Sequence, residues 1–363
     1  MAKTKVKRVK MSIKEKLILL IVLVFGIVLL CFLGKPLLKQ WKPLETNEGT
    51  VDRDTNLYQL KDEVTFTDDG LDLDQVIEGQ FTVLALGFDV EDENTDVIML
   101  IMFDIKAKEI NILQIPRDTY VGGSTTGKIN AVYMYGDEDL TPINRIVEKV
   151  RDMTQIPIDR YIAINCKNIA PVVDAMDGIP IEVPEQIEYK PEKFIEAGEQ
   201  VLNGEQAEWF IRYREGYAEA DIGRIKNQRI FLAAAMQKLK DMGSTELLSI
   251  FPTIQKYIRS DMSLGEIASI ADLCEKISMD DVTVRMLPGQ SVKANEYNGY
   301  DIWSVHAEEL ADMLNEYFRP YQKDVDVEDL DIIQLRNNNS YYDEVVDNFE
   351  DIINGDTPEI PRN

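Results

Sequence analysis

Apolar and polar residues alternate along this chain with two periods. From Phe81 onward, short runs rich in Val, Ile, Leu and Met predict buried strands: FTVLALG (81–87), VIMLIMF (97–103) and EINILQIP (109–116). The short polar DIKAK (104–108) between the last two predicts a hairpin. Further on, YIAIN (161–165), IPIEV (179–183) and VTVRMLP (282–288) read as strands. Helical periodicity fills the gaps. Thr141-Pro142 opens a helix that runs to about Met153, with Thr as N-cap and Pro at the first helical position. NIAPVVDAM (168–176) is a short helix ended by Gly178. Asn203 with Gln206 predicts a capping box, and a helix stopping near Phe210. A longer helix begins near Asp221 and continues to about Lys240. Ser263 and Glu266 form a second capping box before IASIADLCEKI, and SVHAEELADMLNEYF (304–318) is a final amphipathic helix. Strands alternating with helices give an α/β domain over residues 80–320.

Ahead of it, Leu17–Gly34 is an unbroken stretch of 18 residues without a charge, long enough to cross a bilayer as a helix. The preceding segment, 1–16, is rich in Lys and Arg, which leaves the N-terminus cytoplasmic and the remainder outside. A cleaved leader is the rival reading. The stretch is longer than a leader needs and no small-x-small site follows it, so a retained anchor is expected. Residues 35–79 are polar and weakly periodic, a stalk. The tail 321–363 is acidic, with twelve acidic residues and two arginines after residue 323, and is expected to be disordered or loosely docked.

Charge sharpens this layout. The net charge of the 363 residues is −26, yet residues 1–34 carry seven Lys or Arg against one Glu, leaving 32 basic and 64 acidic residues for the rest. A body so acidic repels nucleic acid, because duplex binding needs a broad basic face. Of three cysteines, Cys31 falls in the apolar span, and Cys166 and Cys274 sit in apolar segments that favour a core role.

Within this acidic chain, arginines gather at Arg212, Arg214, Arg224 and Arg229. The planar Arg fork matches phosphate geometry in a way Lys does not, so the cluster points to an anion. Asp221, Arg224 and Gln228 share one helix face by their spacing; a solvated, ion-paired face is the competing reading. Arg212 and Arg214 share a face only where the backbone is extended. Asp89 and Asp96 stand at neighbouring strand ends and suit a hard divalent cation, or else merely flank an acidic surface loop. Pro116 stops a strand and projects Arg117 and Asp118 at its end, followed by a Gly-rich loop bearing Lys128. That loop lacks Walker spacing. His306 is the only histidine and reads as a surface or capping residue, and there is no Gly-x-Ser-x-Gly elbow or Cys/His metal cluster. What remains, Asp, Arg and Lys, is the equipment of phosphoryl transfer.

In order along the chain, Gly87-x-Asp89, Asp96, IPRDTY (115–120), GKINAVYMYG (127–136), VVDAMDGIPIEVP (172–184), LNGEQAEWFIRYR (202–214) and DIGRIKNQ (221–228) resemble the LytR-CpsA-Psr family of bacterial envelope proteins. The resemblance implies an α/β/α sandwich with a central mixed sheet, binding a polyprenyl-linked pyrophosphate whose lipid tail lies in an apolar groove. It implies transfer of an anionic glycopolymer (teichoic acid or capsular polysaccharide) from that carrier to peptidoglycan. Asp89 and Asp96 then match Mg²⁺ positions, and Arg117, Arg212, Arg214 and Arg224 match a pyrophosphate clamp. Lys128, Asp118, Asp221 and Gln228 match polar members that orient it, with Arg117, Asp118 and Asp221 expected closest to the chemistry. Two departures stand out: Asn94-Thr95 replaces the usual Arg-Ser, and Asn227 stands where Arg is frequent. Alongside transfer, a catalytically weak regulatory protein that binds the carrier and a lipid pyrophosphatase remain as alternatives.

Overall fold

The computed structural model describes residues 80–354, apart from 90, 138, 214–219, 263–266, 268–269, 272, 275, 297–298, 321 and 336–345. The expected membrane span (17–34), the stalk, Arg214 and the Ser263–Glu266 capping box lie outside them. Among the described residues no helix is long and apolar enough to cross a membrane.

Among the described residues thirteen strands form: β1 (Gln80–Phe88), β2 (Thr95–Asp104), β3 (Glu109–Gln114), β4 (Arg160–Asn165), β5 (Ile179–Val183), β6 (Ile187–Lys190), β7 (Lys193–Ile195), β8 (Gly198–Leu202), β9 (Ile258–Ser260), β10 (Val282–Met286), β11 (Gly289–Val292), β12 (Ile302–Val305) and β13 (Val346–Asn348). Seven of them make one mixed sheet in the order β13-β10-β3-β2-β1-β4-β9. The predicted hairpin joins β2 to β3, its turn held by the Asp104 carboxylate, which accepts from the amides of Lys106 and Ala107. β1 runs parallel to β4, and β3 parallel to β10.

Strand alternation splits the apolar residues between two cores. Leu84, Leu86 and Phe88 of β1 and Ile98, Leu100 and Met102 of β2 face one way. They meet α1 (Pro142–Thr154), α5 (Ala307–Met313) and the π-helical turn Leu314–Phe318 that continues α5. Val83, Met99 and Phe103 face the other way, toward α2 (Ile169–Ala175), α3 (Gly204–Arg212), α4 (Ala220–Ile254) and α6 (Phe349–Ile353). The result is a helix–sheet–helix sandwich around a mixed sheet. The Thr141 cap and the Asn203–Gln206 capping box form as local sequence dictates. α4 is broken at Gly243, whose backbone is not helical.

Three expectations are corrected. The acidic tail is not wholly loose: β13 adds an edge strand beside β10, and Phe349 of α6 is fully buried. Two apolar anchors, Phe349 and Ile352, give that segment something to bury despite its charge. The last helix begins later than predicted, because Ser304 and Val305 belong to β12, paired with β11. His306 takes the N-cap position of α5, one of its two readings, but it is buried rather than on the surface, with Nε2 3.1 Å from Gln290 Oε1.

Candidate active site

Because β1, β3 and β4 run with their C-terminal ends at the edge where β2 begins, the strand-end residues singled out in the sequence converge there. Such an edge is where open α/β sheets bind ligands. A cleft of about 360 Å³ opens at it, and Asp96, Arg212, Arg224 and Gln228 are among its lining residues. Gly87 also lines it; a Cβ there would stand 3.0 Å from the Val97 Cβ, so glycine lets β2 close up beside the cleft.

After β3, Pro116 ends the ladder and its carbonyl accepts from the Thr119 amide and hydroxyl, which turns Arg117 back toward β2. Arg117 Nη1 donates to Asp96 Oδ1 at 2.6 Å, and its Nε lies 3.7 Å from Asp118 Oδ1. Asp118 also accepts from Lys128 Nζ at 2.9 Å. Lys128 is brought round by the loop 120–128, where Gly127 takes φ +68° beneath the Tyr120 ring. Lys128, Asp118, Arg117 and Asp96 thus form one chain of alternating charges ending at the cleft.

From the opposite layer, Arg212 closes α3 and is held by Glu208 one turn earlier at 2.6 Å. Burial, the largest influence, opposes its charge, but the Glu208 hydrogen bond together with charge interactions from Tyr189, Cys166 and Glu208 outweighs it, and the guanidinium is held above its ordinary range. α3 therefore runs two residues past the predicted stop, and Tyr213 is the first extended residue. Arg224 and Gln228 project from the first turns of α4, Arg224 being buried. Asn227, beside them, donates to the Phe210 carbonyl at 3.1 Å and so ties α4 to α3. Asp221 lies in the opening turn of α4; its side chain, like Arg214, is outside the described set.

Asp89 stands just beyond β1. Burial pushes its carboxyl up, but hydrogen bonds from the Asn94 side chain and from the amides of Glu93 and Asn94 outweigh this, leaving it below the usual carboxylate range. Its Oδ2 accepts from Asn94 at 2.8 Å, so the departure at position 94 supports the acid loop instead of adding a cation. Asp89 and Asp96 offer oxygen donors only, the choice of a hard cation that keeps waters and phosphate oxygens as its other ligands. Among the described residues no group of three or more His, Cys, Asp or Glu could hold a metal. Any ion there would depend on these two carboxylates and on its substrate.

Sequence reasoning missed Tyr189, Lys190 and Cys166, which line the cleft. The first two reach it on the β6–β7 hairpin, and no local pattern announces that. Cys166 follows β4 and is half-buried beside Arg212 rather than in the core; burial, its largest influence, pushes the thiol up although Arg212 pulls it down. Cys274 is also only partly buried, but it packs against the core formed with α4.

With this geometry in place, comparison with known proteins is direct. The LytR_cpsA_psr family model matches residues 47–319. The chain belongs to the LytR_cpsA_psr family. Among curated LytR_cpsA_psr relatives, it is 30% identical over 245 residues to the "Polyisoprenyl-teichoic acid--peptidoglycan teichoic acid transferase TagV" of Bacillus subtilis (strain 168), a match covering 62% of this chain and 59% of that protein. The chain thus spans about three fifths of that relative's length. The crystal structure of B. subtilis TagV shares the fold at TM-score 0.56 and 24% identity, over 70% of this chain and 98% of that one. A structure described as TagT bound to LI-WTA shares it at TM-score 0.54 and 24% identity, over 66% and 89%.

Proposed function

We propose that this protein moves an anionic glycopolymer from a polyprenyl-pyrophosphate carrier to peptidoglycan, outside a membrane to which residues 17–34 anchor it, with Mg²⁺ as cofactor. The observation that carries the reading is the meeting of Arg117, Arg212, Arg224 and Gln228 from three separate segments around one cleft. Relatives named as teichoic acid transferases support it.

A second feature agrees with a lipid-borne substrate. In the middle of the sheet, Ala85, Gly87, Val97, Ile101, Ile162 and Ile164 keep partial exposure on the face toward α2 and α4. Residues of the same strands on the other face, such as Leu84, Ile98 and Ala163, are fully buried. Central strands covered by helices on both sides are normally buried on both. The partial exposure runs from Val97 and Ile169 at the cleft inward, an apolar route suited to a prenyl chain.

In the reaction, an acceptor hydroxyl oxygen forms a bond to the phosphorus that carries the glycan. The bond from that phosphorus to the bridging oxygen breaks, and polyprenyl phosphate leaves with the electron pair. Arg212 and Arg224 neutralise the pyrophosphate. Arg117, positioned by Asp96 and Asp118, meets the charge growing on the leaving phosphate. Asp221, in the opening turn of α4, is the residue proposed to take the hydroxyl proton. A divalent ion on Asp89 and Asp96 would supply further charge neutralisation.

The test is to incubate the full chain in detergent with labelled lipid-pyrophosphate-glycan, Mg²⁺ and peptidoglycan oligomers. Label on the oligomer is expected. Label only in free glycan phosphate would show a pyrophosphatase, and tight carrier binding with neither product would show a regulatory binder.

A further inference from the structure

The hairpin of β6 and β7 stands apart from the central sheet and forms one rim of the cleft. Ile187 and Ile195 anchor it in the core. Its register sets Lys190 directly opposite Lys193. Like charges facing each other across a strand pair are destabilising, so this arrangement is held by other contacts. Each ammonium rests over a ring: Lys190 Nζ is 5.3 Å from the Tyr189 ring centroid, and Lys193 Nζ is 4.8 Å from that of Trp209. The rings are themselves stacked, 6.2 Å apart and 7° from parallel. Two cations are therefore held side by side on a shared aromatic support, in a chain whose net charge is −26. Lys193 is partly compensated by Glu205 at 2.9 Å. Lys190, exposed, forms no ion pair among the described residues.

Tyr189 and Lys190 line the same cleft as Arg212, Arg224 and Gln228. A polymer whose pyrophosphate end fills that cleft passes them on its way out. We propose that Lys190 and Lys193, positioned by Tyr189 and Trp209, form a subsite for the phosphodiester groups of the glycopolymer just beyond the pyrophosphate. The pair would select polymers with phosphate in the repeating unit over neutral polysaccharides. Lysine suits this role as a compact charge with rotatable donors, able to follow a flexible polyanion. The inference rests on the transfer reading for its substrate, and its binding arm stands without turnover.

The test titrates the full chain in detergent with a lipid-free glycerol-phosphate oligomer and with a neutral polyol oligomer of equal length, by calorimetry. The wild type should bind the phosphodiester oligomer at least about tenfold more tightly, with an affinity that falls as salt rises. The K190Q/K193Q variant should lose that preference, and K190R/K193R should keep most of it. Equal affinity of the wild type for both oligomers, or an undiminished preference in K190Q/K193Q, would overturn the proposal. Where transfer is measured too, K190Q/K193Q should raise the KM for the polymer-bearing donor by about tenfold, more than for a donor carrying one neutral disaccharide. Absence of transfer in the wild type would sink the functional reading while the titrations still decide the subsite. Matching circular dichroism and thermal midpoints among the variants exclude misfolding as the cause.

Discussion

Arg229 on α4 donates from Nη1 to Asp347 on the edge strand β13, and both side chains are buried. Its Nε donates to Gln114 Oε1 at 2.7 Å, and Gln114 Nε2 in turn reaches Gln228 Oε1 at 3.4 Å. The acidic tail is thereby joined to a residue of the cleft. Removing one partner of a buried ion pair strands the other charge, at a cost of about 3–5 kcal/mol. Asp347→Ala should therefore lower the unfolding free energy by about 3 kcal/mol in urea titrations. A change under about 0.5 kcal/mol would mean that β13 is not docked as described.

Arg117→Ala should cut transfer by about a hundredfold to a thousandfold, the usual loss when one group aimed at developing charge is removed. Its circular dichroism should match the wild type, since the side chain is at the cleft edge. Arg117→Lys should recover little, because a single ammonium cannot serve Asp96 and a phosphate in the geometry of the fork. Single-turnover label transfer measures both, and wild-type rates in Arg117→Ala would remove it from the site.

Why some of this was legible in the chain and some was not follows from the range of the interactions. The Thr141 cap, the Asn203–Gln206 box and the hairpin at 104–108 depend on residues within a few positions, so their signals are local. Arg117, Arg212, Arg224 and Gln228 were picked out by residue type and family pattern, and the fold does gather them. Arg229 lies in the same arginine run, yet it faces Gln114 and Asp347, a pairing fixed only when β13 docks. Tyr189 and Lys190 escaped notice for the same reason: the hairpin reaches the cleft through tertiary contacts, and its own sequence looks like an ordinary charged surface.

Gly127→Ala should destabilise the protein and disturb the Lys128–Asp118 pair. A Cβ at this left-handed residue would stand 2.3 Å from the Tyr120 ring, so both backbone and ring must give way. A loss of about 2 kcal/mol, or roughly 4–8 °C in thermal midpoint, is expected by scanning calorimetry. An unchanged midpoint would show that the loop is free to relax.

Asp89 predicts a sign for the acid limb of stability. Its carboxyl is held below the ordinary value of 3.8, so it favours folding most above that pH and loses the contribution as pH falls through its folded value. The wild type should thus be more stable than Asp89→Asn at about pH 6, with the gap narrowing as pH falls below 3.8. Urea midpoints across that range test this, and a gap that widens toward low pH would contradict it.

The two described cysteines should differ in reactivity. Burial pushes the Cys274 thiol up to about 11, and it packs, partly buried, against the core. Cys166 is also raised, from an ordinary 9.0, but it lines the cleft. Mass spectrometry after iodoacetamide treatment should show Cys166 modified first, slowly near neutral pH and faster in alkali, with inorganic pyrophosphate protecting it. Cys274 reacting first would contradict this placement.

If the proposed carrier lipid binds there, the partly exposed apolar face of the central sheet would tie the lifetime of the protein to its substrate supply. A prenyl chain lying along Ala85, Ile101 and Ile162 would cover surface that the chain's own side chains leave open to solvent. Ligand that binds only the folded state adds about 2.7 kcal/mol of stability at a hundredfold excess over its Kd. A cell that runs short of carrier lipid would then hold a more fragile enzyme, open to proteolysis, and a replete one a sturdier enzyme. Abundance would follow demand with no regulator in between.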